Sequence, residues 1–445
     1  MRRDEKEEVR VSQQQGFHRA GQGVREYRLQ RGSAIYVLIL LCLTYLFDYA
    51  DRMVVGSLIP FIKTDWGLTD QELGSLTSVI YVTIAVFVLP LSLVVDRWSR
   101  RKMISLMVFV WSMATLLCAF ARNYGELIWA RAMVGLGEAG YAPAGTAVLA
   151  AAYPVQVRAR TMGIWNAFIP LGAAVGFLVG GYVGQNWGWR HAFGLVAVPG
   201  LVLAVLFWFT KDYRTVPLAE EEGQHRSASV VGLGRSIRRL ASVRTLWFVY
   251  LAFAMNTAIT TSLMTWLPSY FHRFHGMTEQ RAGTMAAGLA LLVLVGAPLG
   301  GFLADRWRSK RLDARMVFSG ITSGASAVLL AASFLLAHTP VFAPLIVSFG
   351  VLTVCYVAPS AAVTQDVVHP GLRALSYGLC VICQHLLGGA WSPMLIGRLS
   401  DKVGLDNALL VLPVFGIVAS ALLLVGSRGY VRDLERVEAV TLLEE

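Results

Sequence analysis

The stretch Gly301-Phe302-Leu303-Ala304-Asp305-Arg306-Trp307-Arg308-Ser309-Lys310 decides the fold, because the chain has already used its pattern once. Ser92-Leu93-Val94-Val95-Asp96-Arg97-Trp98-Ser99-Arg100-Arg101-Lys102 carries the same Asp-Arg-Trp followed by basic residues. The first copy follows the second long apolar run of the chain, and the second copy follows the eighth. A signature recurring at equivalent loops marks a duplicated unit of six apolar segments. Parallel repeats of this kind are one of the ways in which transporters are built.

Working outward, the composition agrees. Of 445 residues, 56% are hydrophobic and only 15% charged, with a mean hydropathy of +0.56. A soluble domain carries about 25% charge, so most of this surface faces something other than water. About twelve apolar runs reach the roughly 20 residues that a hydrocarbon core demands of a helix. They lie near 34–60, 70–95, 103–121, 125–152, 159–186, 191–210, 243–271, 279–304, 314–337, 340–366, 374–399 and 406–426. The expected fold is therefore an all-α integral membrane protein of twelve transmembrane helices. It divides into an N-terminal arm (1–33), a first half (34–210), a linker (211–242), a second half (243–426) and a tail (427–445). The linker's Val230–Leu240 stretch suits a surface amphipathic helix.

A formal charge of +11 could suggest nucleic acid, but the basic residues cluster between apolar runs, as membrane-flanking loops do. About 30 of the 39 lysines and arginines lie on the side of the termini and about 7 on the other. The positive-inside rule then makes both termini and the linker cytoplasmic. Residues 1–33 lack an apolar segment, so no cleavable signal is expected. Cys42, Cys118, Cys355, Cys380 and Cys383 all fall in apolar runs and read as small core side chains. The lone pair His272 and His275 reads as loop histidines, with no metal or other cofactor expected. A membrane enzyme would need a nucleophile–base pair or a metal constellation at membrane depth, and neither is visible.

The chemistry sits in the first run, at Phe47-Asp48-Tyr49-Ala50-Asp51-Arg52. An ion within the bilayer is costly, so three of them mark function. Asp48 and Arg52 are i,i+4 neighbours. The fourth run adds Arg131 and Glu138, seven residues apart and on one face, with Tyr141 just beyond. Its Gly135-x-Gly137-x-x-Gly140 mimics a dinucleotide fingerprint, but no strand precedes it, and the glycines read as packing positions. Gly172, Gly176, Gly180 and Gly184 form a ladder in the fifth run, suited to close packing or to a bending helix. The second half contributes uncharged groups, among them Asn256, Thr260, Gln384 and His385. A charged half facing a mostly apolar one suits an amphipathic substrate.

The duplicated Asp-Arg-Trp resembles motif A of the major facilitator superfamily, a Gly-x-Leu-x-Asp-Arg-x-Gly-Arg-Lys signature. Asp96, Arg97, Arg101, Asp305 and Arg306 would then form a conformational latch, a carboxylate at one helix end holding the N-terminus of a neighbour. Within the superfamily, residues 34–426 resemble Spinster-type proteins. The likeness rests on Asp48 to Arg52, Arg131, Gly137 to Gly140, Gly188-Trp189-Arg190, Gly389-Ala390-Trp391-Ser392-Pro393 and Gly397 to Asp401. Asp48 stands where that family usually has Asn. The anion–cation symporters share the ions of the first and fourth runs.

The resemblance implies an alternating-access transporter, expected to act as a monomer in a bacterial inner (plasma) membrane. The substrate would be a lysophospholipid or sphingosine-1-phosphate-like lipid, or alternatively a small organic anion such as a sugar acid. Arg52 and Arg131 would take the anionic head, with Tyr141, Asn256, Thr260, Gln384 and His385 around it. Protons are the expected coupling ion, carried by Asp51, Glu138 or Asp48. Burial favours the neutral acid and a nearby arginine the anion, and opposed forces of this kind let a carboxyl change state. Symport and antiport both remain open.

Overall fold

The computed structural model of the chain describes residues 31–97, 99–153, 155–210, 228–369 and 372–437. The arm before Arg31, most of the linker and the end of the tail lie outside the described residues. The first half comprises spans 1 (Arg31–Trp66), 2 (Asp70–Arg97), 3 (Arg100–Phe120), 4 (Tyr124–Ala139 and Tyr141–Ala152), 5 (Val155–Trp187) and 6 (Trp189–Trp208). A short amphipathic helix, Ala228–Ala241, follows where one was expected.

The second half comprises spans 7 (Arg244–His275), 8 (Glu279–Leu291 and Val293–Arg308), 9 (Ala314–Leu335) and 10 (Phe342–Leu352 and Val357–Asp366). Span 11 joins Arg373–Gln384 to Ser392–Val403 through a π turn at His385–Gly389. Span 12 is Leu405–Leu409 continued by Leu412–Glu435. Among the described residues, 11 of these spans are long and apolar enough to cross a bilayer. Span 4, expected as one helix, is interrupted at Gly140, two residues past Glu138. His272 and His275 belong to the last turn of span 7, not to a loop.

The duplication is visible in the backbone. Among the described residues, positive φ occurs at Gly67 (64°), Gly188 (90°), Gly276 (59°) and Gly404 (86°). Gly67 joins spans 1 and 2 as Gly276 joins spans 7 and 8; Gly188 joins spans 5 and 6 as Gly404 joins spans 11 and 12. Only glycine enters that region without a Cβ penalty, so the two halves turn at matching places for one reason. All four turns lie on the face opposite the termini, here called the far face.

The glycine ladder proves to be a packing device for the charged span. A Cβ on Gly172 would fall 2.2 Å from Leu46 O, one on Gly176 2.4 Å from Ala50 O, and one on Gly180 2.7 Å from Ser57 Cβ. Span 5 thus lies directly on the backbone of span 1 and fixes the rotation that aims Asp48, Asp51 and Arg52 away from it. Gly135 and Gly137 are likewise filled against Ile80 of span 2 and Trp111 of span 3.

The halves meet unequally. One buried cluster runs through both, joining Val54, Leu58 and Phe177 to Leu263 and Trp266. Two others stay separate, one around Trp111, Tyr141 and Trp165 in the first half and one around Tyr250, Phe253 and Tyr430 in the second. The described hydrogen bonds between the halves lie toward the far face. The protein is therefore closed at the far face, with its two halves packing separately toward the terminal one.

Candidate functional site

Spans 1 and 4 run antiparallel, and their ions pair across the gap. Arg52 Nε stands 2.9 Å from Glu138 Oε2, and its Nη2 lies 3.4 Å from both carboxyl oxygens of Asp48. Asp48 and Glu138 are neighbours around that guanidinium. Arg131 Nη1 donates to Asp51 Oδ1 at 3.1 Å. The i,i+7 face of span 4 is thus shared out: Glu138 goes to Arg52 and Arg131 to Asp51. Tyr49 lies under Arg52, 4.9 Å from guanidinium carbon to ring centroid.

These pairs form two layers. Arg131 is fully buried, with Phe193 5.9 Å away on its other side, and Asp51 is 1% exposed. Arg52, with its side chain 10% exposed, is the charged residue that reaches open space. Several polar atoms of the cluster have no aligned hydrogen bond: Asp51 Oδ2, Arg52 Nε, Arg131 Nε and Nη2, and both oxygens of Glu138. The Arg52–Glu138 contact is therefore an ion pair held by charge rather than by hydrogen-bond direction. Buried polar atoms are rarely left so.

The open space is a cavity of about 330 Å³ between the halves. Its first-half wall includes Tyr49, Arg52, Met53, Tyr81 and Pro170. The second half contributes Phe253, Thr257, Thr260, Met264, Tyr356, Gln384 and His385, among others. Of the expected substrate residues, Arg52, Thr260, Gln384 and His385 line it. Three do not. Arg131 lies behind Asp51. Tyr141 is 1% exposed and donates to Leu41 O at 2.6 Å, tying span 4 to span 1. Asn256 is 1% exposed and donates to Ala252 O and to Ser323 Oγ of span 9.

Tyr81 was not singled out from sequence. It adjoins Arg52, its ring centroid is 5.4 Å from that of His385, and the π turn of span 11 lies against its face. A Cβ on Gly389 would fall 2.8 Å from that ring. Nothing in the period of span 2 distinguishes this tyrosine; only the approach of span 11 does.

Of the expected latch residues, Asp96 and Arg97 have side chains outside those described. Arg101 donates to Thr210 O at the end of span 6. Asp305 accepts from Arg315 Nε (3.0 Å) and Nη2 (2.8 Å), within its own half. Arg315 also reaches Asp366, which Tyr430 holds from span 12 at 2.9 Å. Arg306 is exposed.

Residues 41–393 match the profile of the Major Facilitator Superfamily. The chain belongs to the Major Facilitator Superfamily. Within it, the chain is 26% identical over 389 residues to "Protein spinster" of Drosophila melanogaster, covering 83% of this chain and 62% of that protein. It is 27% identical to "Sphingosine-1-phosphate transporter SPNS2" of Mus musculus, covering 82% of this chain and 69% of that one. It is also 27% identical to a "Probable L-galactonate transporter" of Escherichia coli K12, over 60% of this chain and 61% of that one. Among solved structures, a bacterial homolog to the human lysosomal transporter Spinster, inward-facing and unoccupied, superposes with a TM-score of 0.79. That likeness, at 22% identity over 91% of this chain and 99% of the other, is one of fold. The Spinster resemblance and the twelve-span fold are thus borne out, and the relatives with named activities are transporters.

Proposed function

We propose that this superfamily member is a proton-coupled, alternating-access transporter of an amphipathic anion such as a lysophospholipid or a sphingosine-1-phosphate-like lipid. One observation carries the reading: the charged residue on the cavity wall is Arg52, held by two buried carboxyls, and it faces a largely apolar second half. A guanidinium matches a phosphate or carboxylate bidentately and keeps its charge at any physiological pH. By the positive-inside rule the terminal face is cytoplasmic, so the closed far face makes this the inward-facing form.

The coupling follows from charge balance. Asp48, Asp51 and Glu138 oppose Arg52 and Arg131, leaving one carboxylate in excess in a site from which water is largely excluded. An unpaired buried ion costs several kcal/mol, so one proton shared by Asp48 and Glu138 brings the cluster to neutrality. With that proton bound, Arg52 is held less tightly and can receive the anionic head. Asp51 and Arg131 remain paired behind it as the fixed base of the site.

A sugar acid is the second reading, favoured by Thr257, Thr260, Thr261 and Gln384 on the wall. Two of those hydroxyls are already committed: Thr260 donates to Asn256 O and Thr257 O, and Thr261 to Thr257 O. His385 directs Nδ1–H to Val381 O at 2.8 Å, leaving Nε2 as an acceptor. Few donors remain for a ring of sugar hydroxyls, which supports the lipid. Saturable binding of oleoyl lysophosphatidate to purified protein, with galactonate unable to compete, is the expected result. Saturable galactonate binding alone would overturn it.

A further inference from the structure

Motif A was expected to latch the protein by a carboxylate that holds the N-terminus of a neighbouring helix. Such caps are found at the opposite face. Asp401, at the far end of span 11, accepts from the backbone N–H of Asp70 (2.7 Å, Oδ1) and of Gln71 (2.9 Å, Oδ2), the first turn of span 2. On the other seam, Gln185 Oε1 of span 5 accepts from the backbone N–H of Gln280 in span 8, at 3.0 Å. The two sites correspond residue by residue. Asp401 and Gln185 each stand three residues before a positive-φ glycine, Gly404 and Gly188. Gln71 and Gln280 each stand four residues after one, Gly67 and Gly276.

Close approach is built in at matching places too. Gly397 and Gly181 each precede the capping residue by four, one helical turn. A Cβ on Gly397 would fall 2.1 Å from Asp70 O, and one on Gly181 2.8 Å from Glu279 O. The stretch Gly397-Arg398-Leu399-Ser400-Asp401 also spells the Gly-x-Leu-x-Asp of Gly301 to Asp305.

The two caps differ in strength. Around the first, Asp70 is gripped by Arg273 (2.7 and 2.9 Å), Lys63 (2.6 Å) and Ser400, joining spans 1, 2, 7 and 11. At the second, the equivalent pair is Glu279 and His272, 3.8 Å apart on adjacent spans of one half. A carboxylate accepting two N–H groups at a positive helix end makes charge-assisted bonds, and a neutral amide makes a weaker one.

We propose that Asp401 and Gln185 are the paired far-face latches of this protein: each closes the path by capping the first turn of the span across its seam, and both release when the path opens there. Asp401 is the strong latch and Gln185 the weak one. The proposal rests on the alternating-access reading above. Hydrogen exchange of the full-length protein in detergent, followed by mass spectrometry, reads both faces at once. Asp401→Asn keeps the size of the side chain but turns an N–H donor toward one of the two backbone donors.

The expected result is exchange roughly tenfold faster in far-face segments on both seams, as follows from losing a hydrogen bond to a charge. Exchange near 157–160 and 306–315 should slow together with it, because the terminal face closes. Gln185→Glu should shift both sets the opposite way, and Gln185→Ala should repeat the Asp401 effect more weakly, which keeps the test open if Asp401→Asn does not fold. Faster exchange confined to Asp70 and Gln71, with the terminal face unchanged, would make Asp401 a local helix cap and overturn the proposal. Faster exchange on both faces together would instead overturn alternating access.

Discussion

Arg52 and Glu138, on antiparallel spans, approach within 2.9 Å at a cavity wall that only the arginine of the two reaches. A charge that can leave its buried partner for a ligand is the simplest device by which occupancy of one site alters another. The same guanidinium touches Asp48, Tyr49 and Tyr81, so each neighbour makes a separate prediction.

Arg52→Lys keeps the charge but loses the planar fork. Binding of oleoyl lysophosphatidate should weaken about tenfold while the protein stays folded, as read by equilibrium binding alongside thermal unfolding. Unchanged affinity would mean that the anionic head binds elsewhere.

Asp51→Asn leaves Arg131 fully buried without its ionic partner. Breaking a buried pair costs about 3–5 kcal/mol, so this variant should show a clearly lowered Tm. Glu138→Gln leaves Arg52 its contact with Asp48 and should unfold close to the wild-type temperature. Equal Tm losses for both would contradict the division into a fixed layer and a movable one.

Gly176→Leu should drive span 5 away from Ala50 O and lower both Tm and yield. Gly163→Leu on the same span, where an added Cβ meets nothing within 4 Å, should be tolerated. Normal stability in the first variant would show that the ladder is a hinge and not a packing surface.

Tyr81→Phe removes a hydroxyl beside Arg52 and keeps the ring against His385 and Gly389. Loss of one hydrogen bond predicts up to about a tenfold fall in affinity for the lysophosphatidate with little change in Tm. A large fall in Tm would assign Tyr81 to the seam alone.

The fold was legible because hydropathy, the repeated Asp-Arg-Trp and the basic loops all report the same duplication, each through a local property of the chain. The charged site was legible for a similar reason: Asp48, Asp51, Arg52, Arg131 and Glu138 are conspicuous in apolar runs. Their pairing was not, since crossing Arg52 to Glu138 and Arg131 to Asp51 depends on the rotation that the glycines of span 5 impose on span 1. Arg131, Tyr141 and Asn256 drew attention as polar groups at membrane depth, but polarity alone does not say whether a residue faces a cavity or a neighbouring helix. Tyr81 and Asp401 were missed as functional residues because their significance lies in contacts with spans more than three hundred positions away.

In the proposed coupling, a proton on the Asp48–Glu138 pair drives transport by way of Arg52. Its most direct test is uptake of labelled oleoyl lysophosphatidate into proteoliposomes containing the wild type or Glu138→Gln, with and without an imposed pH gradient, beside counterflow without one. The gradient should accelerate the wild type, Glu138→Gln should lose this response, and counterflow should persist in both. Accumulation by Glu138→Gln that still follows the gradient as the wild type does would contradict this coupling.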